Sequence, residues 1–251
     1  MKLPSKTLLA LGLMLYTSHT AIAEGVLVLG ATGQLGARIT KSLLDRGEQV
    51  TAFVRHSSDR SRLEGLNIEY VVGDILDEES VAVAFSGRSY RVIINAVRGP
   101  TEIVNFYKDS SLIISKHAQQ ASVKQIIHHG AVGAGSNMKL HPNVPWENPP
   151  RQGIPSLVER MLDHGVAEEV FFSSGIPTTI IRNSRVWPDE TPASGQATLT
   201  EDRSVLTPIT RIDLARFTMD CLDNKACFGK VYHNKDESLA WPPPSFVFDE
   251  N

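Results

Sequence analysis

The residues whose types and spacing speak first of chemistry are three glycines. Gly30, Gly33 and Gly36 stand at G-x-x-G-x-x-G spacing, straight after the apolar run Val26-Leu27-Val28-Leu29. A glycine at the first position lets the chain turn sharply off a strand. A second leaves room for backbone N–H groups to approach a pyrophosphate, and a third lets the following helix pack close to the strand. The opening of that helix offers unpaired N–H donors and partial positive charge. Thr32, Gln34 and Leu35 fill the same turn. A tight turn without any ligand uses the same glycines, so the strand before and the helix after are what make the pattern specific.

Two more positions extend this chemistry. The run Gln49–Val54 reads as a second strand, and it ends in Arg55 rather than in an acid. An acid there would accept from a ribose 2′-hydroxyl, whereas an arginine presents a planar donor fork suited to a 2′-phosphate. The spacing therefore predicts NADP over NAD. Arg60 and Arg62 read equally well as a solvated basic loop. Ile68–Val72 reads as a third strand, left through Gly73, Asp74 and Ile75. Asp74 is placed to accept from an adenine amino group, and Asp77 to cap the helix Glu78–Phe85.

The elements that must position these groups alternate strand and helix. Tyr90–Val97 reads as a fourth strand, with Asn95, Ala96 and Val97 at the middle of a bound cofactor. A helix is expected over Thr101–Gln120, with Tyr107 among its packing residues. A fifth strand is expected over Val123–Ile127, a helix over Leu157–Ser173, a sixth strand over Thr178–Arg182, a helix from Thr210 to about Leu222 and a last strand over Gly229–His233. This alternation predicts an α/β fold, a Rossmann-like doubly wound parallel sheet in a single domain with a small C-terminal substrate-side region. Residues 136–155 and 183–209 lack periodicity and are expected as loops on the substrate side. Trp146 reads either as an apolar wall of that site or as the anchor of a surface excursion.

Residues 1–23 read as a signal peptide: basic Lys2 and Lys6, an apolar run from Thr7 to Tyr16, then Ala21-Ile22-Ala23 before Glu24. Export to a periplasmic or secreted location is the expectation, with residues 24–251 as the NAD(P)-binding domain. An uncleaved anchor or a misplaced start codon is the alternative, the latter leaving a cytoplasmic protein. The net charge of −3 and the lack of a basic stripe argue against nucleic acid, and no further stretch is long enough to span a membrane. Cys221 and Cys227 could pair in an oxidising compartment or remain two partly buried thiols.

The motifs Gly30-Ala31-Thr32-Gly33-Gln34-Leu35-Gly36, Val54-Arg55, Val72-Gly73-Asp74, Ala167-Glu168-Glu169, Ser174-Gly175-Ile176-Pro177, Thr179-Ile180-Ile181-Arg182 and Arg211-Ile212-Asp213-Leu214-Ala215 carry a resemblance. Over about Gly25 to Tyr232 the chain resembles an atypical short-chain dehydrogenase/reductase of the NmrA-like, NAD(P)-binding type, a class that includes biliverdin reductase B-like flavin reductases. The resemblance implies NADP lying across Gly30–Gly36, Arg55, Asp74–Ile75 and Asn95–Val97. It also implies a Tyr-x-x-x-Lys pair, and here the sequence departs: the tyrosine position falls on Arg160 and the lysine position on His164. The usual serine or threonine after the fifth strand is replaced by His128-His129-Gly130-Ala131. His128, His129 and His164 are therefore the titratable groups expected to face the nicotinamide, as a histidine near neutral pKa can donate a proton. A hydrogen-bonded structural role is the alternative for each. No carboxylate or third histidine stands at ligand spacing beside the histidine pair, so no metal is expected. The expected function is NADPH-dependent reduction of a small carbonyl, quinone or flavin-like acceptor. A nucleotide-sensing protein without turnover is the alternative, favoured by the missing pair.

Overall fold

A computed structural model describes residues 24–146 and 154–240. The expected signal peptide, Pro149 and Pro150 of the first loop and the Pro242–Pro244 tail lie outside the described residues.

The alternation of apolar runs and helical patterns resolves into eight strands and five α-helices among the described residues. The strands are β1 (Gly25–Leu29), β2 (Val50–Val54), β3 (Glu69–Val72), β4 (Tyr90–Asn95), β5 (Gln125–Ala131), β6 (Thr178–Asn183), β7 (Thr198–Thr200) and β8 (Lys230–Lys235). The helices are α1 (Gln34–Asp45), α2 (Glu78–Phe85), α3 (Phe106–Gln120), α4 (Leu157–Ser173) and α5 (Arg211–Cys221). All strands join one sheet in the order β3-β2-β1-β4-β5-β6-β8-β7. Every pairing is parallel except that of β7 with β8. The chain steps outward from β1 through β2 to β3, then returns to the other side of β1 as β4. That reversal opens a crevice at the carboxyl ends of β1 and β4.

Parallel strands covered on both faces need apolar residues at every position. β1 and β2 are buried along their whole length, whereas β3, at the sheet edge, exposes Glu69 and Val72. One core layer joins Ile39 and Leu43 of α1 with Leu214 and Phe217 of α5, against Val26, Val28 and Ile127 of the sheet. The opposite layer joins Ile114 of α3 and Phe171 of α4, against Leu27, Ile93 and Ile126. Asp77 caps α2 through the Glu79 N–H, Ser156 and Glu159 form a capping box on α4, and Thr210 caps α5.

The structure corrects the sequence reading at three boundaries. α3 starts at Phe106, five residues later than expected. Asn105 is held at φ 57°, a left-handed conformation that a helix interior does not use. β5 runs on to Ala131, so His128 and His129 sit inside the strand and not after it. Residues 183–209 are not wholly irregular: they contain β7 and a bridge between Val186 and Ile209. Cys221 and Cys227 are joined as a disulfide with 5.6 Å between their Cα atoms, which settles the open choice between pair and free thiols. It ties the end of α5 to the approach to β8. Among the described residues no helix is long and apolar enough to cross a membrane.

Candidate functional site

The glycine turn follows β1 with little tolerance. Gly30 takes φ 79°, and a Cβ there would lie 2.7 Å from the Ala96 carbonyl oxygen. A Cβ on Gly36 would lie 2.1 Å from the Gly30 carbonyl oxygen. Both positions thus demand glycine for the fold itself. Gly33 differs: it has ordinary backbone angles (φ −70°, ψ 163°), and the nearest atom to a Cβ would be the Gly30 oxygen at 3.3 Å. The space outside Gly33 is open to solvent rather than filled by protein, and a glycine there leaves that cradle free for a ligand.

Gly33 is also the N-cap of α1, and no side chain caps that end; its first turn carries no acidic residue. The leading N–H groups of a helix have no intrahelical partners. At α1 they open on the crevice between β1 and β4. The arrangement fits the phosphates of a dinucleotide: donors without an anion of their own, room beside them, and the positive end of a helix dipole.

The other predicted cofactor positions follow the carboxyl ends of neighbouring strands and line one edge of the sheet. Arg55 leaves β2 with its side chain exposed. Arg60 is engaged differently, lying 5.2 Å over the Tyr70 ring. Asp74 leaves β3, exposed, with one carboxylate oxygen accepting from the Leu76 N–H at 2.9 Å; Ile75 beside it is buried. Asn95 ends β4, buried, and its side-chain oxygen accepts from the Val97 N–H at 3.2 Å. Ala96 donates its N–H to the Leu29 carbonyl, which fixes the 95–97 segment against the glycine turn. The topology therefore gathers Gly30–Gly36, Arg55, Asp74, Ile75 and Asn95–Val97 at one rim.

The three histidines do not stand together at that rim, although His128 is the strand partner of Asn95. Neighbouring residues of a strand face opposite ways, so His128 and His129 lie on opposite faces of the sheet. His128 packs its ring 4.9 Å from that of Phe171 on α4, with neither nitrogen hydrogen-bonded. Burial, helped by His164 and His129, holds it well below the usual histidine range. His129 faces α5, where its Nε2 meets Thr218 Oγ1 at 2.9 Å; burial lowers it to about 4, partly opposed by Asn183. His164 of α4 shares the face of His128 and stacks on Tyr107 of α3 with ring centroids 3.6 Å apart. Burial takes it down to about 3, with Arg160 and Arg182 adding to the effect. All three are neutral at neutral pH. Among the described residues no three His, Cys, Asp or Glu side chains stand together as metal ligands would.

Sequence reasoning also missed features around this edge. Glu168 of α4 and Arg182 of β6 form a buried ion pair, Nη2 to Oε2 2.6 Å. A Cβ on Gly130 would come within 2.7 Å of the Glu168 carboxylate, so glycine at that strand position admits the pair. Burial raises Glu168 while Arg182 opposes the rise. Asp163 accepts from the Tyr107 and Lys108 N–H groups, both at 2.9 Å, and so closes the N-terminus of α3. Tyr107 Oη accepts from the Gly99 N–H at 3.0 Å. Tyr107 and Asp163 lie 56 residues apart, and Glu168 and Arg182 lie 14 apart on different elements, so no local spacing announces either pairing.

The two loops are tied across the carboxyl ends of the strands. Arg203 donates from Nε to Asn137 Oδ1 at 2.9 Å, and Arg38 of α1 pairs with Asp189 at 2.8 Å. Trp146 donates its indole N–H to the His141 carbonyl and fills the space beside Gly133 and Met161. It anchors its segment.

The sequence profile of a family described as NAD(P)H-binding matches residues 30–225. Sterol demethylase protein B of Methylococcus capsulatus is 35% identical over 126 residues, which is 48% of this chain and 38% of that protein. A photosystem II assembly factor of Cyanophora paradoxa is 27% identical over 215 residues, 82% of this chain and 62% of that protein. The chain thus spans less than two thirds of the length of either relative. Among solved structures, the anaerobillin reductase ChuY from Escherichia coli superimposes with a TM-score of 0.70 at 19% identity, over 87% of this chain and all of that one. A short-chain dehydrogenase/reductase from Veillonella parvula, solved with NADP, gives a TM-score of 0.69 at 15% identity, over 89% of this chain and 99% of that one. At such identities the likeness is one of fold. With a doubly wound sheet, a glycine turn built for close approach and a profile match across most of its length, the chain belongs to the NAD(P)H-binding family.

Proposed function

We propose that this chain is an NADPH-dependent reductase of a small carbonyl, quinone or flavin-like acceptor. One observation carries the reading: the open cradle at Gly33, where an uncapped helix N-terminus meets the rim formed by Arg55, Asp74 and Asn95–Val97. The dinucleotide would lie across Gly30, Thr32, Gly33, Gln34, Leu35 and Gly36, with its middle at Asn95–Val97. Exposed Arg55, with no acid in its place, supports the 2′-phosphate form. Hydride transfer is the chemistry the cofactor supplies when bound, while the chain positions it and sets the surrounding charge. The reductase named among the structural neighbours supports the same reaction class. The segments around Asn137 and around Asp189 and Arg203, which the Arg203–Asn137 and Arg38–Asp189 contacts tie down, would bound the acceptor's side.

Calorimetric titration of the purified chain with NADPH and NADH tests this. NADPH binding more tightly than NADH, and being oxidised when flavin or quinone is added, supports the reading. No binding, or equal affinities, overturns it or its cofactor preference respectively. A nucleotide sensor without turnover is the second reading. Arg160 and His164 favour it, since they stand where a reductase of this kind would carry tyrosine and lysine. Binding without oxidation of NADPH by any acceptor would select it. We also propose export with cleavage before Glu24, which the Cys221–Cys227 disulfide supports. The intact mass of the protein from its host tests that cleavage.

A further inference from the structure

We propose that the Arg38–Asp189 ion pair is a latch: it holds the segment Trp187–Ser194 against α1, and a phosphate of the bound dinucleotide takes Arg38 over and releases that segment on the acceptor's side. This rests on the dinucleotide site proposed above. Four observations carry it. First, the segment bridges the two halves of the rim. It leaves the carboxyl end of β6, three strands from β1 in the sheet, roughly 14 Å at the usual strand spacing. Its ends are fixed elsewhere: the Trp187 N–H donates to the Ile209 carbonyl at 2.8 Å, and the Ser194 N–H to the Asp213 carboxylate at 3.2 Å. Between them Arg38 donates from Nε to Asp189 Oδ1 at 2.8 Å and from Nη2 to the Asp189 carbonyl. One guanidinium thus grips side chain and backbone together, and its departure frees both.

Second, Arg38 stands beside the open helix end. It lies four residues on from Gln34, the first residue of α1, so the two share a face about 6 Å apart along the axis. Helical side chains lean toward the N-terminus, which carries the guanidinium toward the uncapped end at Gly33. Third, the patch has positive charge to spare. Arg211, the first residue of α5, donates to the Trp187 carbonyl. Burial holds Arg211 below the usual arginine range; Asp189 and Glu190 oppose that effect, while Arg38 and Arg62 add to it. Three arginines here face two carboxylates. Fourth, the closed arrangement is easily left. The Arg38 and Asp189 side chains keep 32% and 24% of their exposure, and an ion pair so exposed adds little stability. The seated segment also leaves the Trp187 indole N–H buried without an acceptor, a penalty that opening removes. The phosphates of a dinucleotide bring more negative charge than one carboxylate and meet a guanidinium in the same bidentate way. Once Arg38 has turned to them, Asp189 and Glu190 are repelled by the same phosphates and the segment moves out.

A double-mutant cycle read by calorimetry with NADPH tests the exchange. Asp189→Asn weakens the latch and keeps its shape, so NADPH should bind about 3-fold more tightly, the scale of an exposed ion pair. Arg38→Ala should bind about 10-fold more weakly. In the Arg38→Ala background, adding Asp189→Asn should change nothing, because the competitor matters only while Arg38 is present. Amide hydrogen exchange of the unmutated chain gives a readout that no folding defect can obscure. Exchange over residues 189–193 should quicken when NADPH saturates the protein, and ligand-free Arg38→Ala should already show the quick rate. A merely structural pair predicts the opposite signs. Asp189→Asn that binds NADPH no more tightly than wild type, or exchange over 189–193 that slows or stays unchanged on binding, overturns the latch and leaves the dinucleotide site intact. A wild-type chain that binds no dinucleotide overturns both.

Discussion

Two helix N-termini, those of α1 and α3, stand at the same edge of the sheet and are finished in opposite ways. α3 opens with two N–H groups delivered to the Asp163 carboxylate, at 2.9 Å each. α1 opens behind Gly33 with no side-chain cap and no acid in its first turn. The other described helices are capped by Asp77, Ser156 and Thr210. A cap replaced by alanine costs about 1 kcal/mol, so a fold gains by closing each end. Leaving α1 open forgoes that stabilisation at one place and keeps its donors for an anion from solution. The difference separates a helix end that holds the fold together from one that serves a ligand.

Acid should have the largest effect, and it should act through buried histidines on both faces of the sheet, His164 and His128 on the side of the closed helix and His129 against α5. His164 is depressed to about 3, His129 to about 4, and His128 well below the usual histidine range, all chiefly by burial. The unfolded chain therefore takes up protons first. Stability contributed by their neutrality is full above about pH 6.5. It falls by about 1.4 kcal/mol per pH unit for each group below that and levels off only near the folded values. Urea midpoints measured from neutral pH downward should drop steeply, and a flat profile between about pH 6 and 5 would contradict the burial described.

Closing α1 as α3 is closed comes next. Gly33→Asp places a carboxylate at an N-cap whose backbone angles any residue can adopt. NADPH should bind about 100-fold more weakly or worse, while the melting temperature holds or rises. A variant that kept its affinity would break the comparison. Opening α3 is the reverse experiment. Asp163→Ala strips two charge-assisted hydrogen bonds and should cost about 2–3 kcal/mol, read by denaturant unfolding, with NADPH affinity little changed. The smallest effect is expected at Arg55. Arg55→Ala should weaken NADPH about 10-fold, near 1.4 kcal/mol, and leave NADH unaltered in parallel titrations.

The open end was legible in the sequence because everything that makes it is local. Gly30, Gly33 and Gly36 act on one another over six residues, and the strand before and helix after are visible as apolar periods. Arg55 is legible for the same reason, as the last residue of an apolar run. The closed end was not. Asp163 meets Tyr107 across 56 residues and Glu168 meets Arg182 across two elements, and neither pairing leaves a spacing to read. Tyr107 reads in sequence as one more packing residue of α3. The histidine pair misled in a physical way: polarity suggested that β5 had ended, whereas backbone pairing to β6 carries it through His128 and His129 to Ala131. Burial on two opposite faces then decides what each ring meets. Asn105 likewise shortens α3 through a left-handed residue that apolar periodicity does not register.

The most direct measurement is an amide correlation spectrum of the labelled chain titrated with NADPH. The N–H groups of Gln34, Leu35 and Gly36 should shift strongly as they take up phosphate, and those of Tyr107 and Lys108, already bound to Asp163, should move little. Saturable binding that leaves the 34–36 amides in place, or no change anywhere in the spectrum, would contradict the assignment of the open end of α1 as the dinucleotide's seat.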